Sequence, residues 1–339
     1  MPNAKDAGTK EKEIVFIYGG WSRFQETVVR ILSSKYKVIP VKCRNFPDVI
    51  NILRHINNKN ISISYFAGRH ALATVLLSKF FNHKTIVIAA GSELEKKPDV
   101  TGNYLFNLVL RIITKISLIF ADHIITVSAY LYKRAKEIVP DRTVYLCYAP
   151  NTIDTDYFSP KGEKEKNLIV TVGRICPEAY MRKGVFMFKK CAENMPDCKF
   201  IWAGLLVNDK FLKKIKIPPN MEIRKNVPKD ELLELYRKAA VYCQLSYSEG
   251  FGVAVGEAMA CECVPVTTAR DGMAEIVGEA GIIVPYGDLQ KTIEGIRKAM
   301  NSPELGKIAR MRVIKNYSYH IHAPKFLALV DKIYNSSFR

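Results

Sequence analysis

The sequence predicts an α/β protein built from two doubly wound parallel sheets. Short apolar runs of β-forming residues alternate with helical patterns from one end of the chain to the other. Continuous apolar strands separated by helices are typical of parallel sheets that are covered on both faces. With 339 residues, the chain also exceeds the size at which a single core usually stops growing, so two domains are expected.

Each half of the chain predicts one doubly wound domain. The strands of the first half cover 14–18, 36–40, 61–66, 85–89, 123–128 and 143–148. The helices between them cover 23–34, 47–57, 70–81, 103–120 and 129–138. The second half repeats this rhythm with strands over 168–173, 199–204, 221–225, 241–246, 264–268 and 281–285.

A segment with neither periodicity separates the two halves. Residues 149–167 (APNTIDTDYFSPKGEKEKN) are rich in Pro, Asn, Asp and Lys, as linkers commonly are. The predicted segments are a first domain over 1–150, a linker over 151–166, a second domain over 167–318 and a C-terminal helix over 319–339, which can pack back on the first domain. Doubly wound sheets bind ligands beyond the carboxyl ends of their strands, so the cleft between the domains is the expected site.

The composition is globular and strongly basic. The net charge is +18, with 48% apolar and 25% charged residues. Residues 1–150 hold 22 Lys and Arg against 11 Asp and Glu, and residues 151–339 hold 29 against 22. Such an excess favours an anionic partner, which can be nucleic acid, an acidic membrane surface or a phosphorylated ligand.

The amino terminus and the cysteines indicate a reducing compartment. Residues 1–13 are polar and contain no apolar segment of a signal or transit peptide, so a cytoplasmic protein is expected. The eight cysteines show no Cys-x-x-Cys spacing. Free buried thiols are therefore favoured over a metal site or a disulfide framework.

The segment 247–260 (YSEGFGVAVGEAMA) gives the strongest local signal for a ligand site. Gly250 and Gly252 allow a tight turn between a strand and a helix, and the start of that helix offers free N–H groups and a positive dipole end to an anion. Glu249 and Glu257 flank the turn, and carboxylates accept paired hydrogen bonds from sugar hydroxyls. The pattern fits a ligand that combines a phosphate with a sugar.

Two other interpretations of these residues stay open at this point. Gly250, Gly252 and Gly256 resemble a dinucleotide-binding fingerprint, with Asp271 about twenty residues further on. Against this, the turn follows the fourth predicted strand of its domain and not the first. A purely structural turn with two solvated glutamates is equally compatible with the pattern.

The longer segment 246–266 (SYSEGFGVAVGEAMACECVPV) resembles the signature of retaining nucleotide-sugar glycosyltransferases of the GT-B fold, in glycosyltransferase family four (group 1). In that family two glutamates separated by seven residues flank the donor sugar. The resemblance implies two Rossmann-like domains that face each other across a cleft. Weaker matches elsewhere in the chain are Gly19-Gly20, ADHIITVS (121–128), PNTIDTDYF (150–158), VGR (172–174), Lys183-Gly184, AEIV (274–277) and GIIVPYGD (281–288).

The resemblance implies that the second domain binds the nucleotide sugar. Glu257 would bind the ribose hydroxyls, and Glu249 would lie against the donor sugar. The backbone amides that would meet the sugar and phosphate oxygens are those of Phe251, Gly252 and Val253.

A basic pair is implied as well. Arg174 and Lys183 match the residues that neutralise the pyrophosphate as it departs, a role with a clear electrostatic rationale. Eight residues separate them here, where the family commonly has four. Lys183 is preferred because Gly184 follows it, and Arg182 is the alternative. Without the family, both residues would be interpreted as a solvated basic surface.

The acceptor side is implied to lie in the first domain. Gly19, Gly20 and Trp21 occur where the family has a glycine loop near the reacting centre. Trp21 is expected to be either a partly buried packing residue or a residue whose ring faces the acceptor.

Some residues depart from the family pattern. Many members carry a histidine after the fourth strand, but TIVIAAGSELEKK (85–97) contains none, and His70 and His83 lie elsewhere in the sequence. The polar candidates at that place are Ser92 and Glu93. Glu262 and Asp271 stand where the family has glycines.

The function implied is transfer of a sugar from a nucleotide-sugar donor to an acceptor, a glycan or a lipid-linked sugar, with retention of configuration and without a metal or cofactor. Asp154-Thr-Asp156 imitates a metal motif of a different glycosyltransferase fold, but turn and cap roles suit a linker better. The alternatives are a sugar-nucleotide epimerase or phosphorylase of the same fold, or a basic RNA-binding protein. Nucleic acid is not the expected partner, because interleaved aromatic and basic residues are missing.

The stretch 103–120 (NYLFNLVLRIITKISLIF) predicts an apolar helix. Arg111 and Lys115 lie four residues apart and therefore share one face. The helix is too short and too charged to span a membrane. It is either a buried helix of the first domain or a strip that docks on anionic lipid at the cytoplasmic membrane face. Its apolar side chains include Phe106, Leu110, Ile113 and Phe120.

Overall fold

The structure is a computed structural model that describes residues 12–58, 60–91, 93–94 and 104–337, without the side chains of 104–107. Within these ranges the chain forms twelve β-strands and fourteen α-helices. Two six-stranded sheets, each flanked by helices, make up two α/β domains. The predicted fold class, two doubly wound domains, is confirmed.

Six parallel strands form the first sheet. They are β1 (Glu13–Tyr18), β2 (Lys37–Lys42), β3 (Ile61–Tyr65), β4 (Lys84–Ala89), β5 (His123–Thr126) and β6 (Val144–Leu146). Their order in space is β2-β1-β3-β4-β5-β6, and all the pairings are parallel. The chain reverses direction across the sheet between β1 and β3, which makes this pair the topological switch point where ligands bind in such sheets.

The second sheet also contains six parallel strands. They are β7 (Glu165–Val172), β8 (Lys199–Gly204), β9 (Met221–Lys225), β10 (Ala239–Gln244), β11 (Val264–Thr268) and β12 (Ile282–Val284). Their order is β12-β11-β10-β7-β8-β9, so the switch point lies between β7 and β10. Because β10 is the fourth strand of its sheet, the glycine turn that follows it is not the first βα turn of a dinucleotide-binding unit.

The helices of the first domain are α1 (Arg23–Leu32), α2 (Val49–Leu53), α3 (Arg69–Phe80), α4 (Tyr104–Phe120) and α5 (Ala129–Ile138). Those that follow are α6 (Pro177–Arg182), α7 (Val185–Asn194), α8 (Asp209–Leu212), α9 (Lys229–Lys238), α10 (Val253–Ala260), α11 (Gly272–Val277), α12 (Leu289–Met300), α13 (Glu304–Tyr317) and α14 (Tyr319–Ser337). A 3-10 turn, Phe46–Asp48, precedes α2, so the helix predicted over 47–57 is shorter than expected.

The strand boundaries follow the sequence prediction closely, with one correction at the linker. β8, β9 and β11 have the predicted bounds. β7 begins at Glu165, which pairs with Ala239 of β10. The last two residues of the predicted linker, 165–166, are therefore part of a strand, because this edge of the second sheet extends beyond its apolar centre.

The last helix returns to the first domain. After α13 the chain passes Ser318, which forms a parallel bridge with Ile153, and enters α14. Phe326 and Val330 of α14 are fully buried in the core of the first domain. The hydroxyl of Tyr36 donates to Asp331 at 2.9 Å. α14 thus adds one more layer to the first sheet.

Candidate active site

The carboxyl ends of β7 and β10 bring the predicted donor residues together. Gly173 and Arg174 follow β7, and the segment 245–252 follows β10. Lys183, directly after α6, folds over Gly173, because a Cβ atom added to Gly173 would lie 2.8 Å from Lys183 Cδ. Glycine at position 173 leaves the space that the lysine side chain occupies.

Glu249 lies beside two cations. Its Oε2 atom is 3.3 Å from Lys183 Nζ and 3.6 Å from Arg182 Nη1. Arg182 Nη1 also donates to the carbonyl of Ser248 at 3.2 Å. The structure therefore places both Lys183 and the alternative, Arg182, at the same carboxylate. Partial burial strengthens such interactions relative to those at an open surface.

Arg174 is placed differently from Lys183. It lies at the same sheet edge but is exposed, and it has no ion-pair partner among the residues that the structure describes. A cation in this position is available to an incoming anionic ligand. The sequence predicted that Arg174 and Lys183 act together, and the structure places them on either side of Gly173.

The turn before α10 presents backbone amides to the cleft. Gly252 has a φ of +94°, a left-handed conformation that favours glycine. The amides of Phe251, Gly252 and Val253 have no acceptor within the described part of the chain, as expected at a helix start. The side chain of Phe251 is buried against the rings of Tyr148 and Tyr317. Phe251 therefore offers a ligand only its backbone.

Glu257 lies in α10 and is only 9% exposed. The hydroxyl of Tyr236 donates to Glu257 Oε2 at 3.4 Å, and Arg23 Nη1 of the first domain lies 3.9 Å from Oε1. Burial raises the pKa of Glu257 to about 7, although Arg23 and Lys229 favour its charged form. Its surroundings thus differ from those of Glu249, which has two close cations.

Two residues that replace family glycines keep a glycine-like backbone. Glu262 has a φ of +64° and Asp271 a φ of +53°. These conformations are uncommon for residues with a Cβ atom. Asp271 also accepts a hydrogen bond from the hydroxyl of Ser248 at 2.7 Å, next to Glu249. Both positions therefore have a backbone conformation that glycine would adopt without strain.

The first domain holds the glycine turn in place. Ser128 Oγ, at the N-cap of α5, donates to the carbonyl of Gly250 at 2.8 Å. A Cβ atom on Gly250 would lie 3.2 Å from the carbonyl oxygen of Ala90, so the two backbones approach closely. At the start of α5, the amide of Ala129 donates to Glu275 Oε2 at 2.9 Å. The candidate donor site is thus built across the domain boundary.

The other switch point lies at the carboxyl ends of β1 and β3. Gly19 follows β1, and a Cβ atom added there would lie 3.1 Å from His70 Nδ1. His70 is buried, and its Nε2 lies 2.6 Å from the carbonyl of Tyr65. Because a carbonyl only accepts, Nε2 carries the proton and Nδ1 is left as an acceptor.

Trp21 lies beside this switch point with its ring half-exposed. The indole is 49% exposed and packs edge-on against Tyr18, with ring centroids 4.8 Å apart. Nearby, Arg44 Nε donates to the carbonyl of Gly19 at 3.0 Å, and its guanidinium passes close to Gly20. Trp21 therefore combines a packing contact with a ring face that a ligand can reach.

The candidates for the missing family histidine receive different outcomes. Ser92 lies outside the described residues. Glu93 Oε1 accepts from the amide of Ala90 at 3.0 Å and therefore caps the turn after β4. In the sequence His70 lies far from the position of the family histidine, but the fold brings it next to Gly19. The signal that could have found it was its position at the start of the helix after β3.

Asp154 and Asp156 have side-chain partners at the linker. Asp154 Oδ1 accepts from the amide of Tyr157 at 3.1 Å, and its Oδ2 lies 3.7 Å from Arg30. Asp156 lies 2.6 Å from His320 Nε2. Across the described ranges, no three His, Cys, Asp or Glu side chains are grouped so that they could hold a metal ion. All eight cysteines are buried and free.

Comparison with known proteins identifies relatives. Residues 153–318 match the family model described as Glycosyl transferases group 1. A curated relative, the phosphatidylinositol N-acetylglucosaminyltransferase GPI3 subunit of Saccharomyces cerevisiae, is 22% identical over 199 residues, which cover 57% of this chain and 42% of the relative. This chain therefore spans less than half of that relative's length.

Solved structures share the architecture over nearly the whole chain. Sucrose-phosphate synthase (tll1590) from Thermosynechococcus elongatus superposes with a TM-score of 0.79 at 15% identity, covering 96% of this chain and all of that one. Anabaena Alr3699/HepE in complex with UDP-glucose gives 0.76 at 11% identity, with 94% and 99% covered. The fold is therefore the predicted GT-B arrangement. Residues 153–318, almost half of the chain, are similar to the glycosyl transferases group 1 family.

Proposed function

We propose that the protein transfers a sugar from a nucleotide-sugar donor to an acceptor, with retention of configuration. The observation that carries the proposal is the pairing of Lys183 with Glu249 beside the free amides of 251–253, at the switch point of the second sheet. A helix start and cations suit a diphosphate. Carboxylates at the same place suit sugar hydroxyls.

The roles follow from the charge at each position. As the bond to the donor sugar breaks, negative charge develops on the departing diphosphate, and Lys183, Arg174 and the amides of α10 would stabilise it. Glu249 would face the sugar, and Glu257 would accept hydrogen bonds from the ribose. No step needs a metal or a cofactor in this scheme, so none is proposed.

The acceptor would bind in the first domain, beside Gly19, Gly20 and Trp21. The half-exposed indole of Trp21 supports a sugar ring or a similar flat surface there. We propose a glycan or a lipid-linked sugar as the acceptor. The GPI3 relative is named for phosphatidylinositol, and this name favours the lipid-linked class. The corresponding location is the cytoplasmic face of a membrane, with the enzyme bound peripherally.

The alternatives lack a comparable observation. An epimerase or phosphorylase of the same fold would use the same donor cleft, but the named curated relative is a transferase. An RNA-binding protein would need basic and aromatic residues along one groove. Two basic residues of the cleft, Arg182 and Lys183, instead pair with Glu249.

A ligand screen tests the proposal without knowledge of the acceptor. Nucleotide sugars of several bases and sugars are tested for thermal stabilisation and for slow hydrolysis, in parallel with an oligonucleotide at equal ionic strength. We expect one nucleotide sugar to stabilise the protein and to be hydrolysed, and Glu257→Ala to weaken both effects. Stabilisation by the oligonucleotide alone would contradict the proposal and favour the RNA-binding alternative.

A further inference from the structure

Three helices cover one face of the first sheet side by side. α3 contacts both α2 and α4, and the 3-10 turn Phe46–Asp48 packs against α2. Right-handed crossovers from β2 to β3, β3 to β4 and β4 to β5 place all three helices on the same face. Their outer sides form one continuous surface of the molecule.

This surface is apolar to an unusual degree. Of the nineteen large apolar side chains that are exposed in the described part of the chain, eleven lie on it. We call these eleven residues the outer apolar surface: Phe46, Ile50, Leu53, Leu76, Phe80, Phe81, Leu108, Val109, Ile112, Ile119 and Phe120. Phe46 and Phe80 are 90% and 85% exposed. A contiguous exposed apolar area of this kind marks an interaction site.

α4 exposes large apolar side chains on its outward side. Its inward side buries the hydroxyl residues Thr114 and Ser117, which are 5% and 0% exposed. Thr114 Oγ1 donates to the carbonyl of Ala67 at 3.1 Å. On the outward side, Leu108 and Ile112 are 42% and 51% exposed.

α3 shows a similar distribution of buried and exposed side chains. Thr74 and Ser78 are buried, and their hydroxyls donate to the backbone carbonyls of His70 and Val75. Leu76 and Phe80 of the same helix are exposed. Two neighbouring helices thus place hydroxyl groups inside and large apolar groups outside. The outward sides also carry Lys79 and Lys115, so they suit the boundary between water and an apolar phase.

The charges around this surface are almost all positive. The segments 44–54, 69–84 and 104–122 contain seven Lys and Arg and two Asp. One of these acids, Asp122, is engaged by Lys79 and Lys84 at 3.5 Å each. The other, Asp48, accepts from the amides of Arg44 and Asn45. The surface therefore combines exposed apolar side chains with basic ones.

We propose that the outer apolar surface docks on an anionic lipid bilayer. Apolar side chains would enter the boundary between headgroups and acyl chains, while Lys and Arg bind lipid phosphates and carboxylates. Among the described residues, no helix has the length and apolarity to cross a bilayer, and docking from one side requires none. The Lys and Arg side chains among the apolar ones match the anionic headgroups of such a bilayer, so the charge favours lipid.

The surface extends to the acceptor side of the cleft. Phe46 lies two residues after Arg44, which donates to the carbonyl of Gly19. His70, under Gly19, is the second residue of α3. A docked protein would hold this switch point close to the lipid headgroups. The docking itself does not depend on the proposed reaction, so vesicle binding and donor hydrolysis can fail separately.

Flotation with vesicles tests the proposal on the full chain. Phosphatidylcholine vesicles with and without phosphatidylglycerol are compared at low and high salt. We expect binding only with phosphatidylglycerol, and weaker binding at high salt. Phe46→Ser combined with Phe80→Ser should lower the partition coefficient by about tenfold or more, because each phenyl ring loses its burial in lipid. Both side chains are largely exposed, so the fold should tolerate the changes.

Matched controls lie on the second domain. Ile308→Ser combined with Met311→Ser removes two exposed apolar side chains of α13 and should leave binding unchanged. Lys115→Glu should reduce binding by about fivefold or more, whereas Lys298→Glu on α12 should reduce it less.

Three results would overturn the proposal. The first is no binding at low salt, and the second is binding that the Phe46 and Phe80 changes leave intact. The third is a dimer in sedimentation experiments that these changes convert to a monomer, which would identify the surface as an interface between copies of the chain. Loss of donor hydrolysis with intact vesicle binding would instead count against the proposed function alone.

Discussion

The two switch points of the molecule share a topology and differ in chemistry. At the second, between β7 and β10, Lys183 and Arg182 lie beside the carboxylate of Glu249. At the first, between β1 and β3, the ring of His70 lies under Gly19, and burial lowers the pKa of that ring, so it is neutral near pH 7. Arg44 is present there, but its Nε donates to a backbone carbonyl.

The difference indicates which ligand each switch point suits. A cluster of opposite charges with free amides suits a ligand that is anionic when it binds and becomes more negative as it departs, such as a diphosphate. A neutral acceptor nitrogen under a glycine, beside an indole, suits an uncharged group with hydroxyls. The same fold therefore divides the proposed reaction between a charged half and a neutral half, and the predictions below test this division.

The largest effect is expected from Glu249 at the charged switch point. Glu249→Ala should lower kcat by about 10²-fold or more, because the proposed role of its carboxylate is to act on the donor sugar in the transition state. Glu257→Ala should mainly raise the donor KM, because ribose is held equally before and during the reaction. Steady-state hydrolysis of the donor found by the ligand screen measures both. Small and equal effects would contradict the assignment.

The cations at this switch point should matter nearly as much. Lys183→Ala should lower kcat by about 10²-fold, as expected when one charge that stabilises a leaving group is removed. Arg182→Ala should have a smaller effect, since Arg182 also donates to the carbonyl of Ser248. Single-turnover hydrolysis separates this loss from product release. A larger loss in Arg182→Ala than in Lys183→Ala would exchange their roles.

The support that the first domain gives to the charged switch point has a moderate expected effect. Ser128→Asp keeps an acceptor for the amide of Leu131 at the start of α5 but loses the hydroxyl that donates to Gly250. We expect about a tenfold fall in donor kcat/KM and faster hydrogen exchange over 249–253. Ser128→Thr keeps the hydroxyl and is the control. Unchanged exchange in Ser128→Asp would show that the turn does not need this bond.

A smaller effect is expected from the protonation of Glu257. Its pKa of about 7 means that the carboxylate forms as the pH rises through neutrality, and donor KM should fall over the same range. The unfolding free energy should also decrease between pH 4.5 and 7, since the folded state holds this proton more tightly than the unfolded chain. Glu257→Gln should remove both trends. A wild-type pH profile that persists in Glu257→Gln would assign the titration to another group.

No effect at all is expected from metal removal. Lys183, Arg174 and the amides of α10 are assigned to the leaving diphosphate, so a metal ion has no role in the charged half. Donor hydrolysis should be the same in EDTA and in Mg²⁺. Loss of activity in EDTA that Mg²⁺ or Mn²⁺ restores would show that Asp154 and Asp156 had been misinterpreted.

The sequence predicted the charged half better than the neutral half. The strands and the glycine turn were predictable because apolar runs, glycines and flanking acids lie close together along the chain. Lys183 was found through its neighbour Gly184. These patterns involve residues that are close together in the chain, so they can be recognised without knowledge of the fold.

Contacts between residues that are far apart in the chain could not be predicted. Arg23 and Glu257 are separated by most of the chain and meet only because the cleft brings them within 3.9 Å. His70 is far from Gly19 in sequence and lies beneath it only because β1 pairs with β3. The exposed apolar side of α4 could not be predicted, because apolar residues occur all around that helix and periodicity could not show which side is buried.

The position of α14 has a consequence for the order in which the protein is made. Residues 319–337 leave the ribosome after the whole second domain, yet they complete the core of the first. The apolar residues of the first domain that α14 covers therefore stay exposed while the second domain is synthesised and can fold. Multidomain chains commonly fold from the amino terminus onwards. Here the domain whose synthesis starts first completes its folding last. A chaperone that covers its exposed apolar residues during synthesis would shorten the time in which it can aggregate.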